Sequence, residues 1–360
     1  MTLLLERPAT GTRPLPVAPP ALLGMPGIPD LSLIAASPDL RGLRRRGLLT
    51  GGLGVAGALL LGACGDGETT PDAAAQEPGE RTVQTDKGEV TVPAEPSRVV
   101  CADYFGAFAV VDLGLVPVGV SGGGYDTTGQ TYAPKLADVP IVGDWTEPDV
   151  EKISGAEPDL ILRTIDTPDE LYEQLSRIAP TVVISFQQLS LLEVTSRIGD
   201  VLGRVPQADE LLTRYRDRTA EIQQTHQAVL DEYTFTFVQV ASDTTFWTLG
   251  PKWTDTTVLV DSGLRLAEPA ASQPEPTQEY SFEQIGVLES TGVLLVPSGP
   301  DGVTPAPDNV ALTDTALWQQ LPAVQAGQVY PILSGAASLG TGLELVERID
   351  VVLTELATAS

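Results

Sequence analysis

Histidine is nearly missing from this 360-residue chain. His226 is the only one, and it is joined by just two cysteines and two methionines. Zinc, manganese or copper held by protein ligands needs His, Cys or Met, so direct metal binding is disfavoured. A Ser-His-Asp set or an H-E-x-x-H frame would also need histidine, and His226 lies in a long helical pattern where packing or solvation is its expected role. Cys101, within the apolar stretch "RVVCADYF", reads as a small buried hydrophobe rather than a nucleophile. "SGGG" at 121–124 lacks the Lys-Ser/Thr of a phosphate loop. With no nucleophile–base pair in sight, no catalysis is expected, and no cofactor of the chain's own. Bases are scarce as well: 21 Lys and Arg face 48 Asp and Glu, a net charge of −27. Such a surface repels phosphate backbones and excludes nucleic acid as a partner.

Long hydrophobic runs are equally rare. The run Gly47–Ala63 follows Arg44-Arg45-Arg46, spans 17 residues and contains six glycines, which makes it a poor permanent span. A basic segment, an apolar segment and then small residues form an export signal, assigned here to residues 1–63. Leu61-Gly62-Ala63-Cys64 resembles the lipobox of bacterial lipoproteins, which implies a lipid on Cys64. Arg45-Arg46 with Leu48-Leu49 resembles a twin-arginine signal. Either Met1 or Met25 could start the chain. Residues 64–80, polar and rich in small residues and Pro, read as a flexible tether. The expected location is therefore the outer face of the cell membrane, as a lipoprotein.

From Arg81 onward short apolar runs alternate with helical patterns, which predicts α/β architecture with mainly parallel sheets. "SRVVCADY", "VPVGV", "DLILRT" and "PTVVISF" read as strands, and "GAFAVVDLG", "VEKISGA", "TPDELYEQLSRIA" and "LSLLEVTSRIGDVLG" as helices. Residues 206–232 hold no Gly and no Pro after Pro206, and predict one helix of roughly 35–40 Å. Beyond it "YTFTFVQVA", "GVLLVPS" and "QVYPIL" read as strands. "TDTTVLVDSG", "YSFEQIGVLES", "TALWQQLPAV" and "TGLELVERIDVVLTELA" read as helices, and "SDTTFWTLGPKW" as an aromatic loop. Two motifs recur: "VDLGL" (111–115) as "VDSGL" (260–264), and the frame E-x-I-x3-E at Glu151 and again at Glu283. The expected organisation is two Rossmann-like lobes, 81–205 and 233–360, bridged by the helix 206–232.

The segment "VGDWTEPDVEKISGAEPDLIL", with the strands before it and the bridging helix after it, resembles substrate-binding lipoproteins of bacterial ABC importers for iron-siderophores and vitamin B12. The resemblance covers most of residues 90–357. It implies a helical-backbone periplasmic binding protein fold, with a ferric siderophore as ligand and iron entering only inside its chelator. It also implies a permease dimer as partner, with Glu151 and Glu283 presented to permease arginines. Corrinoid or haem capture is the alternative ligand reading, and a monomer is expected. An acid/base pair made of Glu151 and Glu283 is disfavoured, since they belong to separate lobes.

Loops after apolar strands are where a two-lobed binder meets its ligand. Tyr104, Tyr125, Trp145 and Arg163 in the first lobe, and Phe246 and Trp247 in the second, are the candidate ligand contacts. Rigid aromatic faces suit a bulky organic ligand, and an arginine suits a carboxylate or a metal-bound oxygen. The small number of bases fits a neutral or cationic hydroxamate chelate better than a triply negative catecholate.

Overall fold

Strands covered on both faces need no polar alternation, and runs such as Val99–Cys101 and Leu160–Arg163 are buried throughout. The computed structural model describes residues 79–122, 131–187 and 189–359. Cys64, Tyr125 and the export segment lie outside the described residues.

The chain enters through a hairpin absent from the sequence reading, β1 (Glu80–Thr85) antiparallel to β2 (Gly88–Pro93). Gly88, at φ +98°, supplies the turn conformation that other residues avoid. Then come β3 (Val99–Cys101), β4 (Gly119–Gly122), β5 (Ile141–Asp144), β6 (Leu160–Arg163) and β7 (Thr181–Val183), all parallel, in the order β5-β4-β3-β6-β7. Between or after them run α1 (Tyr104–Asp112), α2 (Ala133–Leu136), α3 (Val150–Gly155), α4 (Asp169–Ser176) and α5 (Leu191–Val201). The hairpin turn covers the exposed edge of β7: Asp86 N–H donates to the Val183 carbonyl at 2.9 Å, and its carboxylate accepts from Ser185 N–H and Arg197. α4 starts later than "TPDE" suggested. Pro168 occupies the cap without a side-chain bond, because the Thr167 hydroxyl is engaged by Arg163.

The bridge is two helices rather than one. α6 (Val205–Thr225) is about 31 Å long and stops at His226, and α7 (Gln227–Glu232) restarts from the same residue. His226 is buried, and its Nε2 meets Asp350 Oδ1 at 2.6 Å.

The second sheet contains β8 (Phe235–Val240), β9 (Thr245–Leu249), β10 (Thr277–Ser281), β11 (Val293–Pro297) and β12 (Val329–Ile332), in the order β10-β9-β8-β11-β12. Ranked by chain position this is third, second, first, fourth, fifth, as in the first sheet. One strand differs: β9 runs antiparallel to both neighbours. Only 241–244 separate β8 from β9, and a parallel return would need a crossover of a dozen residues or more. The centre of the expected aromatic loop 242–253 is thus strand, Thr245–Leu249. Likewise "YSFEQIGVLES" divides into the end of β10 and a 3-10 helix, Phe282–Leu288. α8 (Thr254–Asp261), α9 (Val310–Thr313), α10 (Pro322–Gln325) and α11 (Leu339–Ala359) complete the lobe. The helix expected over "TALWQQLPAV" breaks at Leu321, which is extended because Pro322 follows it.

α11 belongs to both halves. Leu345, Val346, Ile349, Leu353 and Leu356 join the core of the second lobe, while its start reaches the first. There Gly340 N–H donates to Asp112 at 2.9 Å, and the Tyr132 hydroxyl donates to the same carboxylate at 2.5 Å. Burial pushes the Asp112 carboxyl above its ordinary range, although bonds from Ser338, Tyr132 and Gly340 pull it back.

Candidate functional site

In a parallel sheet all strands deliver their following residues to one edge, and in α/β proteins that edge is the ligand-binding one. Three sequence-chosen residues of the first lobe converge there. Tyr104 follows β3, Trp145 follows β5 and Arg163 ends β6. The Tyr104 ring stacks on Phe105 with centroids 4.0 Å apart and meets Trp145 edge-on at 6.2 Å. Phe105 lies 6.5 Å from Trp145 and 4.5 Å from Phe186. Phe186, just past β7, was not among the sequence candidates, yet it follows its strand as the others do. The four rings make a continuous aromatic platform, with Phe105, Trp145 and Phe186 only partly buried.

Arg163 lies behind that platform, 2% exposed. Its Nε donates to Thr167 Oγ1 at 2.9 Å, and its Nη1 to the Ala102 and Trp145 carbonyls at 2.7 and 3.3 Å. Burial lowers the guanidinium's affinity for its proton, and nearby Asp103 opposes that shift. Asp103 is itself fully buried. It caps α1 through Gly106 N–H at 2.7 Å and takes both the N–H and the hydroxyl of Thr164, at 2.6 and 2.7 Å. Tyr104 is driven to hold its proton by burial, then by Asp103 and Asp144. A tyrosine so placed is a neutral hydrogen-bonding group at neutral pH.

The second-lobe candidates fall elsewhere. Phe246 and Trp247 are successive residues of β9, so their side chains point to opposite faces and pack in different clusters. Phe246 stacks on Tyr280 at 5.7 Å and has no exposed surface, so the loop contact expected of it is corrected to a core position. Trp247 keeps 8%. Trp253, beyond the strand, is more open, and its indole N–H donates to Asp255 at 2.8 Å.

Glu151 and Glu283 occupy matching places. Each lies in the first turn of the segment joining the third strand of its sheet to the fourth, and each is exposed. Ile153 and Ile285, two residues on, are buried anchors. Asp149 caps α3 by accepting from Glu151 N–H and Lys152 N–H at 3.1 Å, and Arg98 closes its other end by donating to the Glu157 carbonyl at 2.7 Å. In the second lobe a capping box of Ser281 and Gln284 starts the 3-10 turn. A bond from Ser281 holds the Glu283 carboxyl below its usual range, so it is charged at neutral pH.

Among the described residues no group of three or more His, Cys, Asp or Glu could hold a metal ion. No described helix is long and apolar enough to cross a membrane.

A sequence model described as periplasmic binding protein matches residues 99–334. The iron(3+)-hydroxamate-binding protein YxeB of Bacillus subtilis is 26% identical over 269 residues, 73% of this chain and 80% of that protein. The Fe(3+)-citrate-binding protein YfmC of the same organism is 25% identical over 280 residues, 76% of this chain and 84% of that one. Among solved structures, the siderophore periplasmic binding protein from the fuscachelin gene cluster of Thermobifida fusca superposes with TM-score 0.64. It is 28% identical, covering 73% of this chain and 98% of that one.

Proposed function

The chain belongs to the periplasmic binding protein family, and from that premise we propose that it captures a ferric siderophore outside the cell and hands it to an ABC-type permease. The observation carrying this reading is the platform of Tyr104, Phe105, Trp145 and Phe186 at the binding edge of the first sheet, with Arg163 behind it. Stacked rings present large rigid faces at little entropic cost, which suits a bulky chelate. In this reading iron arrives already wrapped in its chelator. The decisive experiment is a fluorescence titration of the purified full chain with ferric hydroxamates, ferric catecholates, ferric citrate, cobalamin and haem. At least one ferric siderophore should bind with Kd well below 100 μM. Binding of cobalamin or haem alone, or no binding better than about −5.5 kcal/mol, overturns the reading.

Delivery rests on the paired glutamates. Their equivalent positions in two lobes of the same strand order suit a dimeric permease offering two basic pockets, where a carboxylate and an arginine can pair bidentately. Glu151→Ala combined with Glu283→Ala should cut uptake more than 10-fold and leave chelate affinity within 2-fold. A large loss of affinity would move these carboxylates into the ligand site. Anchoring is assigned to a lipid on Cys64, and lipid labelling that survives Cys64→Ser would remove that assignment. The protein acts as a monomer in this reading.

A further inference from the structure

Phe246 and Trp247 lie within β9, so the second lobe still lacks a ring facing the ligand, given the ferric-siderophore reading on which this inference rests. Of its three tryptophans, Trp247 and Trp318 are buried and Trp253 keeps open surface. β8, β11 and β12 run parallel, so their ends share the edge that α/β proteins use for ligands. The segment 333–338 leaves β12 at that edge and leads into α11. Ala336 packs in the core of the second lobe and Ala337 in that of the first, so the halves meet at this segment. Trp253 is fastened to it.

The fastener is Asp255, 1% exposed. Its Oδ2 accepts from the Trp253 indole N–H at 2.8 Å and from Gly335 N–H at 3.1 Å, and its Oδ1 accepts from Ala336 N–H at 2.7 Å. A carboxyl taken so far from water is costly unless donors replace the water, and these three N–H groups do so. Asp255 stands in the first turn of α8, yet its carboxyl is directed at the neighbouring segment and the indole. The Trp253 backbone is held separately. Its N–H donates to the Gly250 carbonyl at 3.0 Å, and its carbonyl accepts from the Thr256 and Thr257 hydroxyls at 2.9 and 3.0 Å. Asp255 therefore sets the direction of the ring and not the path of the chain. A ring fixed before the ligand arrives need not be ordered on binding, which favours affinity. Shortly past Ala336, Gly340 N–H donates to Asp112 of the first lobe, so two aspartates link the ring to the lobe junction and beyond it.

We propose that Trp253 is the second lobe's wall of the ligand site and that Asp255 is its positioning residue, fastening the ring to the segment that joins the lobes. Ferrichrome, ferric Desferal, ferric enterobactin and ferric citrate are titrated calorimetrically into the full chain in detergent, a readout independent of the ring removed. For the chelate that wild type binds tightest, Trp253→Ala should raise Kd about 10-fold. Asp255→Asn, which keeps the shape but cannot accept from all three N–H groups, should raise it about 5-fold. Added to Trp253→Ala, Asp255→Asn should cost less than about 2-fold more, because its effect passes through the ring. In the ligand-free chain, the emission that Trp253→Phe removes isolates this tryptophan, and acrylamide should quench it more readily once Asp255→Asn is introduced. A merely structural Asp255 would lower the urea midpoint but leave the affinity losses additive and the quenching unchanged, and either result overturns the positioning role. Should Asp255→Asn not fold, Trp253→Phe carries the test: it deletes the N–H but keeps a ring, so Kd should rise about 3-fold, and no rise overturns the role of the bond. An unchanged Kd in Trp253→Ala overturns the wall and leaves the siderophore reading standing. Failure of all four chelates to bind wild type overturns that reading, and this inference with it.

Discussion

Ser121 carries a fully buried hydroxyl with no hydrogen-bond partner among the described residues. Desolvating a hydroxyl without compensation costs about 1–3 kcal/mol, so Ser121→Ala should raise stability by about 1 kcal/mol. The check is the urea midpoint, and a fall would mean that the hydroxyl has a partner after all. Ser121 follows Val120 at the end of β4, beside Ala102 and one strand removed from Arg163, so the gain should come without repacking the apolar core. Single residues were unequally legible in the sequence. The placement of Tyr104, Trp145 and Arg163 at one sheet edge is legible because each follows or closes an apolar run, and strand ends in a parallel sheet share an edge. Phe186 obeys the same rule but was absorbed into the strand "PTVVISF". Phe246 and Trp247 read as loop residues because Gly250 and Pro251 follow closely, although the β-branched and aromatic residues of "TFWTL" favour a strand.

At the scale of elements, repeated motifs had two separate causes. "VDLGL" and "VDSGL" both end helices, with Gly114 at φ +81° and Gly263 at φ +90°. The next residue in each case donates back to a carbonyl five positions earlier, Leu115 to Val110 and Leu264 to Leu259. Yet α1 follows the first strand of its sheet and α8 the second, so this recurrence reflects helix-stop chemistry rather than equivalent position. The E-x-I frame does mark equivalent positions, because its buried isoleucine anchors the same crossover in each lobe. The bridging helix was legible in length but not in its break, since nothing in "QQTHQAV" announces that His226 will turn inward to Asp350. Burial pushes the Asp350 carboxyl up, but bonds from His226 and Arg218 and their charges outweigh it and hold it below the ordinary range. An acid stronger in the folded chain than in the unfolded one contributes stability above pH of about 4, and that contribution fades as pH falls through the folded value. Wild-type urea midpoints should therefore drop more steeply between about pH 5 and 3 than those of Asp350→Asn. Parallel curves would show that the junction of α6 and α11 does not titrate.

For the whole molecule, the same rank order of strands in both sheets was implicit in the sequence as two rounds of alternation, whereas the inverted β9 depended on the length of one connection. Least legible was the dual allegiance of α11. Its Gly340 meets Asp112 so closely that an added Cβ would collide with the Asp112 carboxylate and the Tyr132 hydroxyl. Asp112→Ala would leave Tyr132 and Gly340 N–H without their acceptor and should cost about 2–3 kcal/mol. Amide hydrogen exchange should then quicken in the first turn of α11, and unchanged protection there would show that the lobes are held by α6 and α7 alone. The contact also spans 228 positions of the chain. At roughly 5–20 residues per second, a ribosome reaches Gly340 about 10–50 s after Asp112 has been made. Until then the nascent polypeptide carries a carboxylate whose helix-start partner has not been synthesised, so its final form waits until the start of α11 has emerged.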